Sequence, residues 1–125
     1  FDNWVQMYVG RQPEQCGVCG HCMHQFVVEG NGNVYPCDFY CLDEWLLGNI
    51  NSDELEAMAN SKKAADFIRE SLPVDPKCKA CRYYPLCRGG GCKRSRADRD
   101  YCEAYKKFFS SCLPLFRVFV DEANR

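Results

Sequence analysis

Cysteine is the residue that most constrains what this sequence can fold into. The chain has 125 residues, and 11 of them are cysteines. Such a density is typical of small domains in which disulfides or bound metal supplement the hydrophobic core. The stretch CKACRYYPLCRGGGC, residues 78–92, alone contains four cysteines. This clustering leaves three explanations open: disulfide bonds, a zinc site, or an iron–sulfur cluster.

The rest of the sequence favours metal over disulfides. The first residues, FDNWVQMYVG, contain the acidic Asp2 and no basic segment, which is unlike a secretory signal. The longest apolar run, CLPLFRVFV, has about half the length of a membrane span and contains Arg117. We therefore expect a cytoplasmic protein with no membrane partner, where reducing conditions favour thiolate ligands. An odd number of cysteines also argues against a complete set of disulfides.

Charge is unevenly distributed, although the net charge is only −1. Residues 1–76 contain four basic and twelve acidic side chains, whereas residues 77–107 contain ten basic and three acidic ones. Basic side chains near thiolates offset the negative charge of a bound cluster. A zinc-binding interaction module with a basic face for nucleic acid is the alternative. Nucleic acid is the less favoured partner, since a solvated surface explains any single lysine equally well.

The first third of the chain predicts one helix and one hairpin. Apolar spacing indicates a helix over residues 2–9. Residues 25–29 and 34–36 have the composition of strands, and Asn31-Gly32 between them suits a tight turn. The hairpin would end next to Cys37.

The remaining elements are predicted to be helices. Asn51 or Ser52 can cap one short helix, and Ser61 can cap another. Apolar residues from Tyr101 onward follow helical spacing, with Pro114 as a kink or boundary. The predicted fold class is α+β: a small, irregular, metal-stabilised domain with one β-hairpin and several short helices around two cluster sites.

Cysteine spacing favours an iron–sulfur cluster over zinc. A C-x2-C step, as between Cys78 and Cys81, lets two sulfurs point at one ion or cluster from a tight turn. Zinc sites usually pair two such steps, but here Cys87 and Cys92 follow at intervals of six and five residues. A cubane tolerates wider spacing because its irons, at different corners, take one cysteine each. Glycines beside Cys92 also permit a close approach of the backbone.

The full cysteine pattern resembles a known domain. The spacing Cys16-x5-Cys22-x14-Cys37, then Cys78-x2-Cys81-x5-Cys87-x4-Cys92, then Cys102 resembles the SPASM domain of certain radical S-adenosylmethionine (SAM) enzymes. Within that group, FDNWVQMYVGRQPEQC, QFVVEGNGNVYPCDFY, LGNI and YCEAYKKFF are similar to the anaerobic sulfatase-maturating enzymes. The resemblance extends over nearly the whole chain, from Phe1 to Cys112.

The resemblance implies two auxiliary [4Fe-4S] clusters and assigns their ligands. The first cluster, nearer the substrate, would be held by Cys16, Cys22, Cys37 and Cys92. The second would be held by Cys78, Cys81, Cys87 and Cys102. Between Cys87 and Cys92 this chain has the four residues RGGG, whereas the family usually has three.

Three cysteines lie outside these two sets: Cys19, Cys41 and Cys112. They need no role beyond that of structural thiols, and Cys112 is expected in the core because it lies on an apolar helix face. Cys19, His21 and His24 form an alternative zinc set. Zinc could also replace the clusters in a fragment prepared in air.

The resemblance further implies that these residues are part of a longer enzyme. The C-x3-C-x2-C motif, which holds the SAM-cleaving cluster in this superfamily, does not occur here. We expect one SPASM-type domain over residues 1–125, with a lead-in helix at 1–15, a cluster-binding region at 16–112 and a helical tail at 113–125. The radical-SAM barrel, with SAM and a third [4Fe-4S] cluster, would precede it in cis. The domain alone should not be active.

The activity implied by the resemblance is oxidation of a sulfatase cysteine or serine to formylglycine. A base must take the thiol or hydroxyl proton, and Asp38 matches the position of the family's proposed base. Alternatively, Asp38 caps backbone N–H groups. The implied partner is the sulfatase polypeptide. A maturase of another peptide with the same domain is the alternative function.

Overall fold

The computed structural model describes residues 1–97 and 100–125. Arg99, one of the basic residues counted above, lies outside this part. Its α-helices are α1 (Asp2–Tyr8), α2 (Leu55–Ala59), α3 (Lys62–Arg69), α4 (Pro76–Lys79), α5 (Tyr84–Cys87), α6 (Lys93–Ala97) and α7 (Cys102–Ala123). Its strands are β1 (Val27–Val28), β2 (Asn33–Tyr35) and β3 (Gly48–Asn49). Single turns of 3₁₀ helix cover Cys16–Val18, Asp38–Tyr40 and Asp43–Trp45.

These elements belong to two compact units. The helical unit comprises residues 1–20 and 74–125, and the sheet unit comprises residues 21–73. Short helices together with a small antiparallel sheet confirm the predicted α+β class.

The sheet unit contains the predicted hairpin and one further strand. β2 pairs antiparallel with β1, where Val27 lies opposite Tyr35, and with β3, where Val34 lies opposite Gly48. The turn between β1 and β2 uses Gly32 at a φ of +90°, a conformation that glycine adopts without strain. β3 was not predicted, because Gly48 and Asn49 carry no strand-like side-chain pattern.

Two helix starts in the sheet unit differ in how well the sequence predicted them. Ser61 caps α3 as expected, and its hydroxyl accepts the Ala64 N–H at 3.1 Å. The predicted cap of α2 at Asn51 or Ser52 is wrong, because α2 begins after Glu54. Both residues instead belong to the turn after β3: the Asn51 N–H donates to Asn49 Oδ1 at 2.9 Å.

Aromatic packing forms the core of the sheet unit. Phe67 of α3 is fully buried, and its ring meets those of Trp45 and Tyr40 at centroid distances of 5.1 and 5.4 Å. The edge-to-face geometry of both pairs is the arrangement that aromatic rings prefer. This packing holds α3 against the 3₁₀ turns that follow β2.

The helical unit is built around α7. Its core consists of Met7 from α1, Leu86 from α5, and Phe109 and Phe116 from α7. The sequence predicted a kink or a boundary at Pro114; the helix continues through this residue, so the boundary is wrong and the kink stays a prediction. Pro114 has no N–H to donate to the Ser110 carbonyl, and both residues are exposed. No helix within residues 1–97 and 100–125, α7 included, has the length and apolar character needed to cross a membrane.

Candidate metal centre

Four cysteines gather around one cavity in the helical unit. The cavity has a volume of about 470 Å³, and its lining includes Cys78, Cys81, Cys87 and Cys102. Cys78 lies in α4, Cys81 follows that helix, Cys87 ends α5 and Cys102 begins α7. The four predicted ligands of the second cluster are therefore brought together by the ends of three helices.

Local hydrogen bonds hold these helix ends. Asp75 caps α4 by accepting the Lys77 N–H at 2.9 Å, and Pro76 occupies the first turn, where its missing N–H costs nothing. The Cys81 N–H donates to the Cys78 carbonyl at 3.0 Å, so the two residues lie one turn apart. At the start of α7, Asp100 accepts the Cys102 N–H at 2.9 Å.

Electrostatics around the cavity disfavour unbound thiolates at Cys78 and Cys87. Burial raises the pKa of Cys78, and the negative charges of Asp75 and Cys102 raise it further. Burial is also the largest cause of the raised pKa of Cys87, although backbone N–H groups of the following glycines oppose it. Metal binding must therefore release protons from these thiols. Lys106 supplies positive charge nearby: a hydrogen bond from its ammonium to Glu103 and the charge of Cys102 raise its pKa.

The helical unit also brings Cys16 and Cys92 together through the main chain. The Cys92 N–H donates to the Gly17 carbonyl at 3.0 Å. Gly91 has a φ of +93°, and a Cβ on this residue would lie 2.2 Å from the Gly17 oxygen. Two predicted ligands of the first cluster are thus neighbours because a glycine allows their backbones to approach.

This approach predicts a large penalty for Gly91→Ala. An alanine at positive φ costs about 1–2 kcal/mol, and the contact with Gly17 should add about 1–3 kcal/mol. Gly90→Ala is the matched control, because Gly90 has a similar φ of +95° and its Cβ would meet only Arg96 Cγ, at 3.5 Å. The free energy of unfolding should be measured by anaerobic urea denaturation of both holoprotein variants. Equal losses would show that the contact between Gly91 and Gly17 is unimportant.

In the sheet unit, Cys22 and Cys37 are the predicted ligands. The Cys22 N–H donates to the hydroxyl of the fully buried Ser71 at 2.8 Å, and this hydroxyl donates to the Ile68 carbonyl at 2.6 Å. Burial is the largest of several influences that raise the pKa of Cys37 to about 11, and the charge of Cys22 is one of the others.

Asp38 lies beside Cys37 on the surface of the sheet unit. It begins the 3₁₀ turn Asp38–Tyr40 and is exposed. The Cys37 thiol donates to its Oδ1 atom at 3.5 Å, within the longer reach of sulfur hydrogen bonds. The carboxylate is therefore accessible and adjacent to a predicted ligand.

The cysteines outside the two predicted sets make local contacts. Cys19 donates to the Gln15 carbonyl at 3.6 Å, and Cys41 donates to the Cys37 carbonyl at 3.7 Å. Cys112 packs against the core of the helical unit. None of the eleven cysteines forms a disulfide. The ring of His24 hydrogen-bonds through Nε2 to the Ala64 carbonyl at 2.8 Å.

The donor set fits a cluster. A single zinc ion needs its ligands to converge at about 2.3 Å from one point. In the part of the chain that the structure describes, no group of three or more cysteine, histidine, aspartate or glutamate side chains does so. Cys78, Cys81, Cys87 and Cys102 instead line one cavity, and four thiols are the donors that a cubane takes, one at each iron.

The contact between Ser95 and Cys92 was not predicted from the sequence. Its hydroxyl lies 3.4 Å from Cys92 Sγ. The pKa of Cys92 is lowered. Burial is the largest single influence and acts to raise this pKa. Hydrogen bonds from the Ser95 hydroxyl and from the N–H groups of Ser95 and Arg94 together outweigh the effect of burial. A serine three residues after a cysteine at a helix start was the available signal.

Comparisons with known proteins agree with this chemistry. The SPASM family, described as an iron–sulfur cluster-binding domain, matches residues 16–82. The cysteine-type anaerobic sulfatase-maturating enzyme of Clostridium perfringens is 40% identical over 121 residues, which cover 91% of this chain and 33% of that enzyme. The serine-type enzyme of Bacteroides thetaiotaomicron is 33% identical over 126 residues, covering 91% of this chain and 30% of that enzyme.

The fold of this chain is also similar to that of a solved structure. Native anSMEcpe with bound AdoMet and Cp18Cys peptide aligns with a TM-score of 0.89 at 35% identity, covering 98% of this chain and 36% of that one. The chain spans about a third of the length of the curated relatives it matches. From the cysteine spacing, the cavity and the match over residues 16–82, the chain belongs to the SPASM family of iron–sulfur cluster-binding domains.

Proposed function

We propose that this chain is the auxiliary-cluster domain of an anaerobic sulfatase-maturating enzyme of the radical-SAM type. The whole enzyme oxidises a cysteine or serine of a sulfatase polypeptide to formylglycine. The observation that carries the proposal is the gathering of Cys78, Cys81, Cys87 and Cys102 around one cavity. Similarity to cysteine-type and serine-type maturating enzymes supports the substrate class.

Two auxiliary [4Fe-4S] clusters bind to this domain. Cys78, Cys81, Cys87 and Cys102 hold the second. Cys16, Cys22, Cys37 and Cys92 hold the first, and the main-chain hydrogen bond between Gly17 and Cys92 supports the pairing of Cys16 with Cys92. When bound, the clusters accept the electron that leaves the substrate.

Asp38 is the base that takes the substrate's thiol or hydroxyl proton. The position of Asp38 supports this role, because its carboxylate is exposed and directly follows Cys37, a proposed ligand of the cluster nearer the substrate. A carboxylate within hydrogen-bond reach of the substrate is suited to proton transfer.

The domain works in cis with a radical-SAM barrel in the cytoplasm. The barrel binds SAM and a third [4Fe-4S] cluster, and the domain alone is inactive. The length of the relatives supports this arrangement, since they are about three times as long as this chain.

Metal analysis and a peptide assay on the full-length protein test the proposal. Purified anaerobically, it should contain about twelve iron atoms and as many sulfides per chain, four for each of three clusters. With SAM and a sulfatase peptide, mass spectrometry should detect formylglycine. Zinc without sulfide in the anaerobic sample would overturn the proposal. Turnover restricted to unrelated peptides would instead indicate a maturase of another substrate.

A further inference from the structure

The hydrogen bonds around Cys92 differ from those around Cys87, a predicted ligand of the second cluster. α6 (Lys93–Ala97) begins directly after Cys92, so Ser95 is one helical turn away on the same side. Its hydroxyl lies 3.4 Å from Cys92 Sγ, and the N–H groups of Arg94 and Ser95 also donate to this sulfur. At Cys87, by contrast, the hydrogen bonds that favour its thiolate come from the backbone of Gly89 and Gly90.

We propose that Ser95 is a positioning residue that raises the reduction potential of the first auxiliary cluster. The inference rests on the proposed function, because it takes Cys92 as a ligand of that cluster. A cysteine that ligates iron is a thiolate and has no proton to donate. In the loaded protein, the hydroxyl of Ser95 is therefore the donor and the sulfur of Cys92 is the acceptor.

The direction of the effect follows from charge. Reduction adds one negative charge to the cluster and its ligands, so a donor aimed at a ligand sulfur stabilises the reduced state more than the oxidised one. In the proposed reaction, a deoxyadenosyl radical formed from SAM in the barrel takes a hydrogen atom from the substrate carbon, and the base takes the thiol or hydroxyl proton. One electron must then leave the substrate radical, and a bound first cluster would supply its acceptor. A higher potential makes the transfer of this electron more favourable.

The test is an anaerobic redox titration of the full-length holoenzyme, monitored by electron paramagnetic resonance. The signal of the first cluster is identified as the one that Cys92→Ser removes. In Ser95→Ala, the ratio of reduced to oxidised first cluster at a fixed potential should fall about threefold to tenfold, the effect of one hydrogen bond. The second cluster and the iron content should not change. Ser95→Thr keeps the hydroxyl and should restore the wild-type ratio. Ser111→Ala, an exposed serine on α7, is the control and should behave as wild type.

Several results would overturn the inference. An unchanged ratio in Ser95→Ala with full iron content would show that the hydroxyl does not influence the potential. Equal shifts of both clusters, or no recovery with Ser95→Thr, would indicate a general structural change. Iron loss in Ser95→Ala would assign the hydroxyl to cluster assembly instead. Failure of the proposed function looks different, because Cys92→Ser would then retain every cluster signal.

Discussion

Asp38→Asn in the full-length enzyme is expected to lower formylglycine formation by a factor on the order of 10²–10⁴, the usual contribution of a positioned general base. Asparagine has nearly the same size as aspartate but cannot accept the substrate proton. Because Asp38 is not among the predicted ligands, both auxiliary clusters and the affinity for the sulfatase peptide should persist. Cleavage of SAM without substrate oxidation should also continue. Single-turnover assays with mass spectrometry of the peptide measure both products.

Asp43→Asn is the matched control for this experiment. Asp38 and Asp43 each begin a single 3₁₀ turn of the sheet unit, and both are exposed. A general effect of removing surface charge would therefore appear in both variants. If Asp38→Asn loses iron, and refilling the clusters restores its activity, then Asp38 has a structural role and the capping interpretation is correct.

Cys102→Ser is expected to remove one complete cluster, while Cys112→Ser removes none. Both cysteines lie on α7, but Cys102 lines the cavity with three other predicted ligands, whereas Cys112 packs against the core. Iron in the anaerobically purified full-length protein should fall by about one third in Cys102→Ser, which corresponds to one of three [4Fe-4S] clusters. The cluster joins segments from residues 78 to 102, so its loss should also lower the thermal unfolding temperature.

Cys102→Ser and Cys112→Ser are matched controls for one another, because each replaces a sulfur by an oxygen on the same helix. Iron content and the visible spectrum, determined without exposure to oxygen, decide the comparison. Full iron in Cys102→Ser together with iron loss in Cys112→Ser would show that the ligand on α7 was assigned to the wrong residue.

Local sequence signals predicted the elements that depend on neighbouring residues. The hairpin followed from Asn31-Gly32 between two apolar segments, and the start of α3 followed from Ser61, because turn and cap chemistry acts over a few residues. β3 could not be found in this way. It is held by contacts with the distant β1–β2 turn and with β2: the Asn49 side-chain amide donates to the Asn31 carbonyl of the turn and to Asn33 Oδ1 of β2, both at 3.0 Å.

In the candidate site, too, local sequence patterns predicted some features, and contacts between distant residues could not be predicted. The spacing of Cys78, Cys81 and Cys87 indicated that these residues serve metal chemistry, and the structure places them with Cys102 around one cavity. The contact of Cys22 with Ser71 was not predictable, because 49 residues separate the two in sequence. Such supporting hydrogen bonds depend on the packing of α3, and no spacing rule describes them.

The segment Arg88–Gly91 has a consequence for how this sequence can vary in length. All four residues have positive φ, from 49° at Arg88 to 95° at Gly90, so the backbone here is in the left-handed conformation. A left-handed backbone is unfavourable for L-amino acids that have a side chain, whereas glycine, which is achiral, adopts it without strain. A residue inserted between Cys87 and Cys92 is therefore accommodated most easily when it is glycine. The extra length of RGGG relative to the usual spacing of the family is thus of the kind that the handedness of this loop permits.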